Sequence, residues 1–456
     1  MLTVSPVTHA EVVLRNNVAH CHRYHRFQQN DLGRLPGEIM IMPRTARRPG
    51  RSLPQRTVPL LITSRLIGQT GDRFTLLALP IFTVAAGATP AEAGLVFTVY
   101  AAPGIGAFLI GRPLDRTHRL RGICASAELL RAVLLLGLVL IIPRITSGGW
   151  LLVLVVTFAC GCCSAVFDVG LQGYLPRAVS GLELRNVNSW FARAQAAADV
   201  AGPPAAGAVV AVAGSGTALL VDAASFLLSG LLLCGVKKQL APAVPEQCKP
   251  TIGWSSGMTR LLSDTVLRNV VLTMLVLNFG GAMIGSLWVV YATESIGVGP
   301  TALGAITSFG GISALVSSVF IGKLTKDRNM VRWVTGGFVT SLLGLLCIPV
   351  AYLTAPVVFL IGFQVLFSAS GLLVAVGAAV IRQERTPNDL QANVYGVVRT
   401  GQDIVLPLAG GAATVVASAA SVPLAVLVGA LTATIALPCV YTVYRSPFPA
   451  APPRAV

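Results

Sequence analysis

Charge is scarce in this chain. Its 456 residues hold 34 basic and 18 acidic side chains, 11% in all, where soluble proteins carry about 25%. With 54% apolar residues and a mean hydropathy of +0.74, a soluble globular domain is excluded and an integral membrane protein is implied. Histidine is rarer still, five in number with none beyond His118, so the apolar stretches offer no imidazole for metal binding or acid–base chemistry. A Walker A sequence is missing too, and Gly104-Ile105-Gly106 lies inside an apolar stretch with no strand before it, which excludes a nucleotide loop. Without paired catalytic acids and a nucleophile, neither an enzyme nor a cofactor is expected. Nine cysteines occur, none of them in the turns expected outside the membrane, which excludes a disulfide framework. Cys160, Cys162 and Cys163, with Cys124, Cys234, Cys347 and Cys439, read as small reduced residues within helices.

What the chain has is length of apolar run. About 20 such residues cross a bilayer, and twelve stretches qualify: 58–86, 91–111, 122–143, 150–174, 189–213, 216–236, 269–291, 300–323, 332–354, 356–382, 394–417 and 421–444. They must be helices, because hydrocarbon offers backbone groups no water. Basic residues fall on alternate turns: Arg112, Arg116, Arg119 and Arg121; Arg177 and Arg185; Lys237, Lys238, Lys249, Arg260 and Arg268; Lys323, Lys326, Arg328 and Arg332; Arg382 and Arg385. The intervening turns hold only Arg144. The positive-inside rule then places both termini in the cytoplasm. The net charge of +16 is dispersed in these short loops, so it serves topology and not a nucleic acid. Arginine outnumbers lysine 29 to 5 beside abundant alanine and glycine, a bias expected of a high-GC bacterium and consistent with its cytoplasmic membrane.

Residues 1–57 stand apart as a polar, arginine-rich stretch and are expected to be a disordered tail. They lack the apolar run of a signal peptide, and Cys21 with His9, His20, His22 and His25 gives no closed metal set. Gly37-Glu38-Ile39-Met40 can be encoded with a ribosome-binding-like purine run, which makes Met40 or Met42 a candidate start. The other division follows span 6, where a polar link, 237–268, contains Pro242, Pro245 and Pro250 and the six-span pattern then begins again. The expected organisation is a six-helix bundle at 58–236, a cytoplasmic linker at 237–268, a second bundle at 269–445 and a cytoplasmic tail at 446–456. Spans 5 and 11 correspond: Asn186-Val187, Arg193, Asp199, Pro203, Pro204 and Gly207 match Asn393-Val394, Arg399, Asp403, Pro407, Gly410 and Gly411.

Between spans 2 and 3 runs Gly111-Arg112-Pro113-Leu114-Asp115-Arg116-Thr117-His118-Arg119-Leu120-Arg121. Its spacing resembles the loop of major facilitator superfamily transporters, G-x-x-x-D-R-x-G-R-R, with His118 in place of the second glycine and Leu120 in place of a basic residue. Gly322-Lys323-Leu324-Thr325-Lys326-Asp327-Arg328 is a decayed copy at the end of span 8. The resemblance covers about residues 58–445 and implies twelve transmembrane helices in two pseudo-symmetric bundles, with substrate bound between them near mid-membrane. It also implies a gating hinge of Gly111, Asp115, Arg116 and Arg119. Gly68-Gln69-Thr70-Gly71-Asp72-Arg73, Leu175-Pro176-Arg177 leading to Gly202-Pro203-Pro204-Ala205-Ala206-Gly207, and Asp222-Ala223-Ala224-Ser225-Phe226 together resemble the drug and siderophore efflux branch, which includes macrolide-efflux and enterobactin-exporter-like proteins.

An ionised side chain at mid-bilayer costs several kcal/mol unless it meets water or a partner. At 1.5 Å per residue, Asp199 lies about 15 Å and Asp403 about 14 Å into their spans, and Asp72 about 21 Å. Asp199 has Gln195 and no arginine four residues before it, so it reads as the free acid and the first candidate for proton coupling, with Asp72 next. Arg399 and Asp403, four apart on one face, read equally as a static pair or as part of the cavity. Glu128 and Arg131, with Asp168, read as a structural ion-pair network nearer the cytoplasmic end. Phe74, Tyr100, Trp190, Phe279 and Trp288 are candidates to line the cavity or to pack. Three readings stay open: a monomeric proton-coupled exporter of amphiphilic small molecules, an importer or metabolite carrier of the same fold, and a membrane protein that does not transport.

Overall fold

A computed structural model of the chain describes residues 57–106, 119–145, 148–178, 181–236, 254–324, 330–387 and 390–445, with Leu114 and Thr117. All of the expected 1–57 tail but Thr57, its alternative start sites, and Gly111, Asp115 and Arg116 of the hinge lie outside these residues. No strand occurs among the described residues. Helix α1 runs Thr57–Ala85. After a one-turn helix, Pro90–Ala93, closed by a Thr89–Glu92 capping box, α2 runs Leu95–Ala101 and tightens into a 3-10 turn, Ala102–Gly106. Leu120–Ile141 is α3 and Gly149–Ala178 is α4.

Spans 5 and 6 were expected as separate stretches, yet helix is continuous over Gly181–Gly235 except at Gly214, where φ is 84° and ψ is 165°. That left-handed conformation is open to glycine without the Cβ clash that other residues would meet. Gly202 and Ser225, on opposite sides of Gly214, both lie against the 70–73 stretch of α1, so the chain doubles back there. Residues 181–213 are accordingly α5 and 215–235 are α6.

The link expected at 237–268 is not wholly a linker. It contains a helix, Trp254–Ser263, and α7, Thr265–Val290, starts within it because the Asp264 carboxylate accepts the backbone N–H groups of Val266 and Leu267, as an N-cap does. Then follow α8 (Pro300–Leu324), α9 (Met330–Ala351), α10 (Pro356–Arg385) and α11 (Gln391–Ala419). The last span, α12, begins as Val422–Thr432, passes through a 3-10 turn at Ala433–Ala436, and ends as Leu437–Arg445. Nine of the described helical stretches are long and apolar enough to cross a membrane, and one of these, Asn186–Gly235, is the doubled α5–α6. The charged α1 and the interrupted α2 complete the twelve.

Lipid tails are as apolar as leucine, so membrane helices associate by close packing of small residues. Here glycines carry the contacts between the two halves. Gly207 of α5 packs against the backbone of Pro300 in α8, Gly304 of α8 against Pro203, and Gly311 of α8 against the backbone of Asp199. In the second crossing Gly410 of α11 faces Thr98 of α2. Ala91 and Ala93 from the first half join Leu287, Ala409 and Ala413 from the second in one buried cluster. The contacts of Ala91 and Ala93, and of Gly207 with Pro300, form a seal at the helix ends remote from the arginine-rich turns.

Candidate functional site

Behind that seal lies a cavity of about 420 Å³ between the halves. The first half contributes Arg73, Leu76, Phe97, Tyr100 and Asp199, and the second Trp288, Phe363 and Phe367. Glycine shapes the aromatic wall: a Cβ on Gly281 would stand 2.7 Å from the Phe367 ring. Phe367 stacks on Phe363 at 5.5 Å between centroids, and Phe363 lies 5.4 Å from Trp288. A polar cavity of about 220 Å³ inside the first half shares Arg73, Leu76 and Tyr100 with it.

Asp199 is not the free acid that its helix neighbours suggest. Arg73 of α1 pairs with it at 2.6 Å, and the Gln195 side-chain amide donates to it at 2.9 Å. Gln69 in turn donates to Gln195. Helix wheels predict contacts within one helix, and the partner that matters comes from another. Gly202 makes room for it, since a Cβ there would lie 2.7 Å from the Arg73 side chain.

Asp72, the residue before Arg73, turns to a second cluster. It pairs with Arg131 of α3, which also meets Glu128 at 3.3 Å and donates to the Tyr100 hydroxyl at 2.9 Å. The Arg131 guanidinium lies 3.7 Å from the centroid of Phe226, a cation–π seat. Arg131 and Glu128 are each only 2% exposed, and burial at that level demands pairing. The Glu128–Arg131 pair is therefore continuous with the cavity wall through Asp72 and Tyr100. Asp168 pairs instead with Arg65 of α1 at 3.1 Å.

Asp222 of α6 completes this region, fully buried and accepting hydrogen bonds from Thr75 and from Ser225 at 3.2 Å. Sequence reasoning did not count it among the mid-span acids, although an aspartate inside an apolar run is itself the signal. Gly68 and Gly71 explain themselves here. A Cβ on Gly68 would come within 3.1 Å of Glu128, and one on Gly71 would collide with Asp222 and Ser225.

The remaining expected residues lie elsewhere. Arg399 and Asp403 pair at 3.1 Å, but the Arg399 side chain is 61% exposed and neither residue lines the cavity. Arg119 is exposed at the start of α3, its backbone N–H donating to the Thr117 hydroxyl. Of the five aromatic candidates, Tyr100 and Trp288 line the cavity. Phe74 is buried in the first-half core, Phe279 packs on the second-half core, and Trp190 stacks with Arg193.

A bundle of this shape, with two crossings between its halves and a cavity at their join, defines a membrane carrier. The Major Facilitator Superfamily model matches residues 61–410, and the chain belongs to that transporter superfamily. No curated protein matches it. Among solved structures it is similar to a bacterial homologue of the iron transporter ferroportin in the inward-facing state, with a TM-score of 0.65, 17% identity, and coverage of 86% of this chain and 99% of that one. A bacterial metal transporter gives a TM-score of 0.63 at 17% identity over 87% and 100%. A bacterial homologue of the human lysosomal transporter Spinster, inward-facing and unoccupied, gives 0.64 at 13% identity over 85% and 96%.

Proposed function

We propose that this chain exports amphiphilic small molecules, such as drugs or secreted metabolites, across the cytoplasmic membrane of a bacterium, as a monomer driven by proton entry. The observation that carries this reading is the cavity between the halves. Its volume falls within the 300–1,000 Å³ range typical of small-molecule sites, and its walls are largely apolar and aromatic with one ion pair, Arg73–Asp199. A bare metal ion, the kind of cargo named for two structural neighbours, would need several hard ligands, and this lining includes a single carboxylate, Asp199.

Asp199 suits coupling because its charge has a partner that can let go. A proton on the carboxylate cancels the attraction to Arg73, and loss of that proton restores it. The backbone of Asp199 also packs on Gly311 of α8, so this carboxylate sits on a crossing between the halves. With the basic turns in the cytoplasm, the sealed end is external. The hinge residues Gly111, Asp115, Arg116 and Arg119 act as the gate on the cytoplasmic side, and the motif resemblance favours the drug and siderophore efflux branch.

Accumulation of a panel of amphiphilic drugs and siderophores, compared in cells with and without the gene and with the proton gradient intact or collapsed, tests the reading. Gradient-dependent lowering of at least one compound is expected. Gene-dependent uptake would instead establish an importer.

A further inference from the structure

Helices α4 and α10 are each 30 residues long. Aligned end to end they set Asp168 opposite Ala375, and the two Asn-Val pairs set Gln195 of α5 opposite Gln402 of α11. Each set borders a cavity in its own half. Asp168 and Gln195 line the polar cavity of the first half, and Ala375 and Gln402 line one of about 190 Å³ among α7, α10 and α11.

The two cavities are equivalent in position but not in charge. In the first half every wall arginine has an acid: Arg65 has Asp168, Arg73 has Asp199, and Arg131 has Asp72 and Glu128. In the second half alanine stands where Asp168 would be, and the wall cation is Arg382. Among the described residues Arg382 pairs with no carboxylate, and its guanidinium rests 4.9 Å from the centroid of Tyr395. The Gln402 side chain makes no hydrogen bond among the described residues. A guanidinium seated on an aromatic face still has its planar fork of N–H donors to offer. The rest of the wall, including Val271, Met274 and Ala378, is aliphatic.

We propose that this second-half cavity is an anion site in which Arg382 and Gln402 hold a phosphate or carboxylate group, with the aliphatic wall accommodating any attached chain. Basic pockets between membrane helices take anionic lipid head groups in this way, and a free anion entering from water would offer the same chemistry.

Two probes separate the sources. Purified protein in nanodiscs of mixed phosphatidylglycerol and phosphatidylcholine is examined by native mass spectrometry for retained lipid, and in detergent for the rise in melting temperature on exchanging chloride for inorganic phosphate at equal ionic strength. Wild type should retain phosphatidylglycerol over phosphatidylcholine, and Arg382→Gln should lower that occupancy by roughly tenfold. A phosphate-induced rise present in wild type and lost in Arg382→Gln, without a lipid difference, assigns the site to a free anion. Arg382→Lys, which keeps the charge, should retain binding, and Gln402→Leu should weaken it, so the test holds even if Arg382→Gln does not fold. Equal lipid occupancy and equal phosphate response in wild type, Gln402→Leu and whichever Arg382 variant folds would overturn the proposal.

Discussion

Arg73 and Asp199 meet at 2.6 Å across the join of α1 and α5, and the carboxylate that pairs there belongs to the residue whose backbone touches α8. One residue thus links a titratable charge to a contact between the halves. In Asp199→Asn the size is kept and the proton cycle lost. Efflux driven by the proton gradient should fall by an order of magnitude or more, about 1.4 kcal/mol or above in barrier terms, while downhill exchange of the same compound persists. Proteoliposome assays with and without an imposed gradient read both; unimpaired gradient-driven efflux would move the coupling role to Asp72.

Arg131 is buried with two carboxylates and a tyrosine around it. Arg131→Met should destabilise the protein by about 3–5 kcal/mol, because it leaves the buried Glu128 without its cation. Adding Glu128→Gln should recover part of that loss. Unfolding of the purified single and double variants checks this, and equal stability of the two would refute a shared network.

Asp403→Asn contrasts with both. The pair with Arg399 is a solvent-facing one, the arginine side chain being 61% exposed, so the loss should be within ~1 kcal/mol. A drop in melting temperature as large as that of Arg131→Met would contradict this assignment.

Gly281→Ala places a methyl group where the Phe367 ring now stands. The ring should shift into the cavity, weakening bulky substrates roughly tenfold while sparing small ones. Dose–response curves across a size series of exported compounds measure the split, and a uniform loss would point to general misfolding.

For the gate and the orientation, Asp115→Asn should nearly abolish turnover while membrane insertion and substrate affinity persist. A cysteine at Ser147 should react with an impermeant reagent from outside intact cells and one at Ser255 should not. The opposite labelling would invert the topology.

The architecture was readable because apolar run length and basic-turn alternation are imposed by the bilayer itself, and those signals are local. The α5–α6 boundary was read correctly in place but not in kind: composition shows where a membrane run ends, whereas the reversal rests on a backbone angle at Gly214. The site was legible as a set of acids and not as a set of bonds. Spacing along α5 made Asp199 solitary, since Arg73 lies 126 positions earlier in the chain and only packing brings it near. Asp222 was legible as part of a motif but not as a site acid, and its partners, Thr75 and Ser225, are ordinary hydroxyl residues that spacing does not single out. Phe97, Phe363 and Phe367 could not be told from other apolar residues until the helices were assembled.

A single non-helical residue, Gly214, separates α5 from α6. The two helices are therefore the arms of one lever, joined at an elbow one residue long. Asp199 sits on one arm and Asp222 on the other, and both arms are tied to neighbouring turns of α1, through Arg73 and Thr75. Any sliding of α5 on the glycines of α8 would therefore be expected to carry Asp222 along with Asp199, since α1 fastens one to the other.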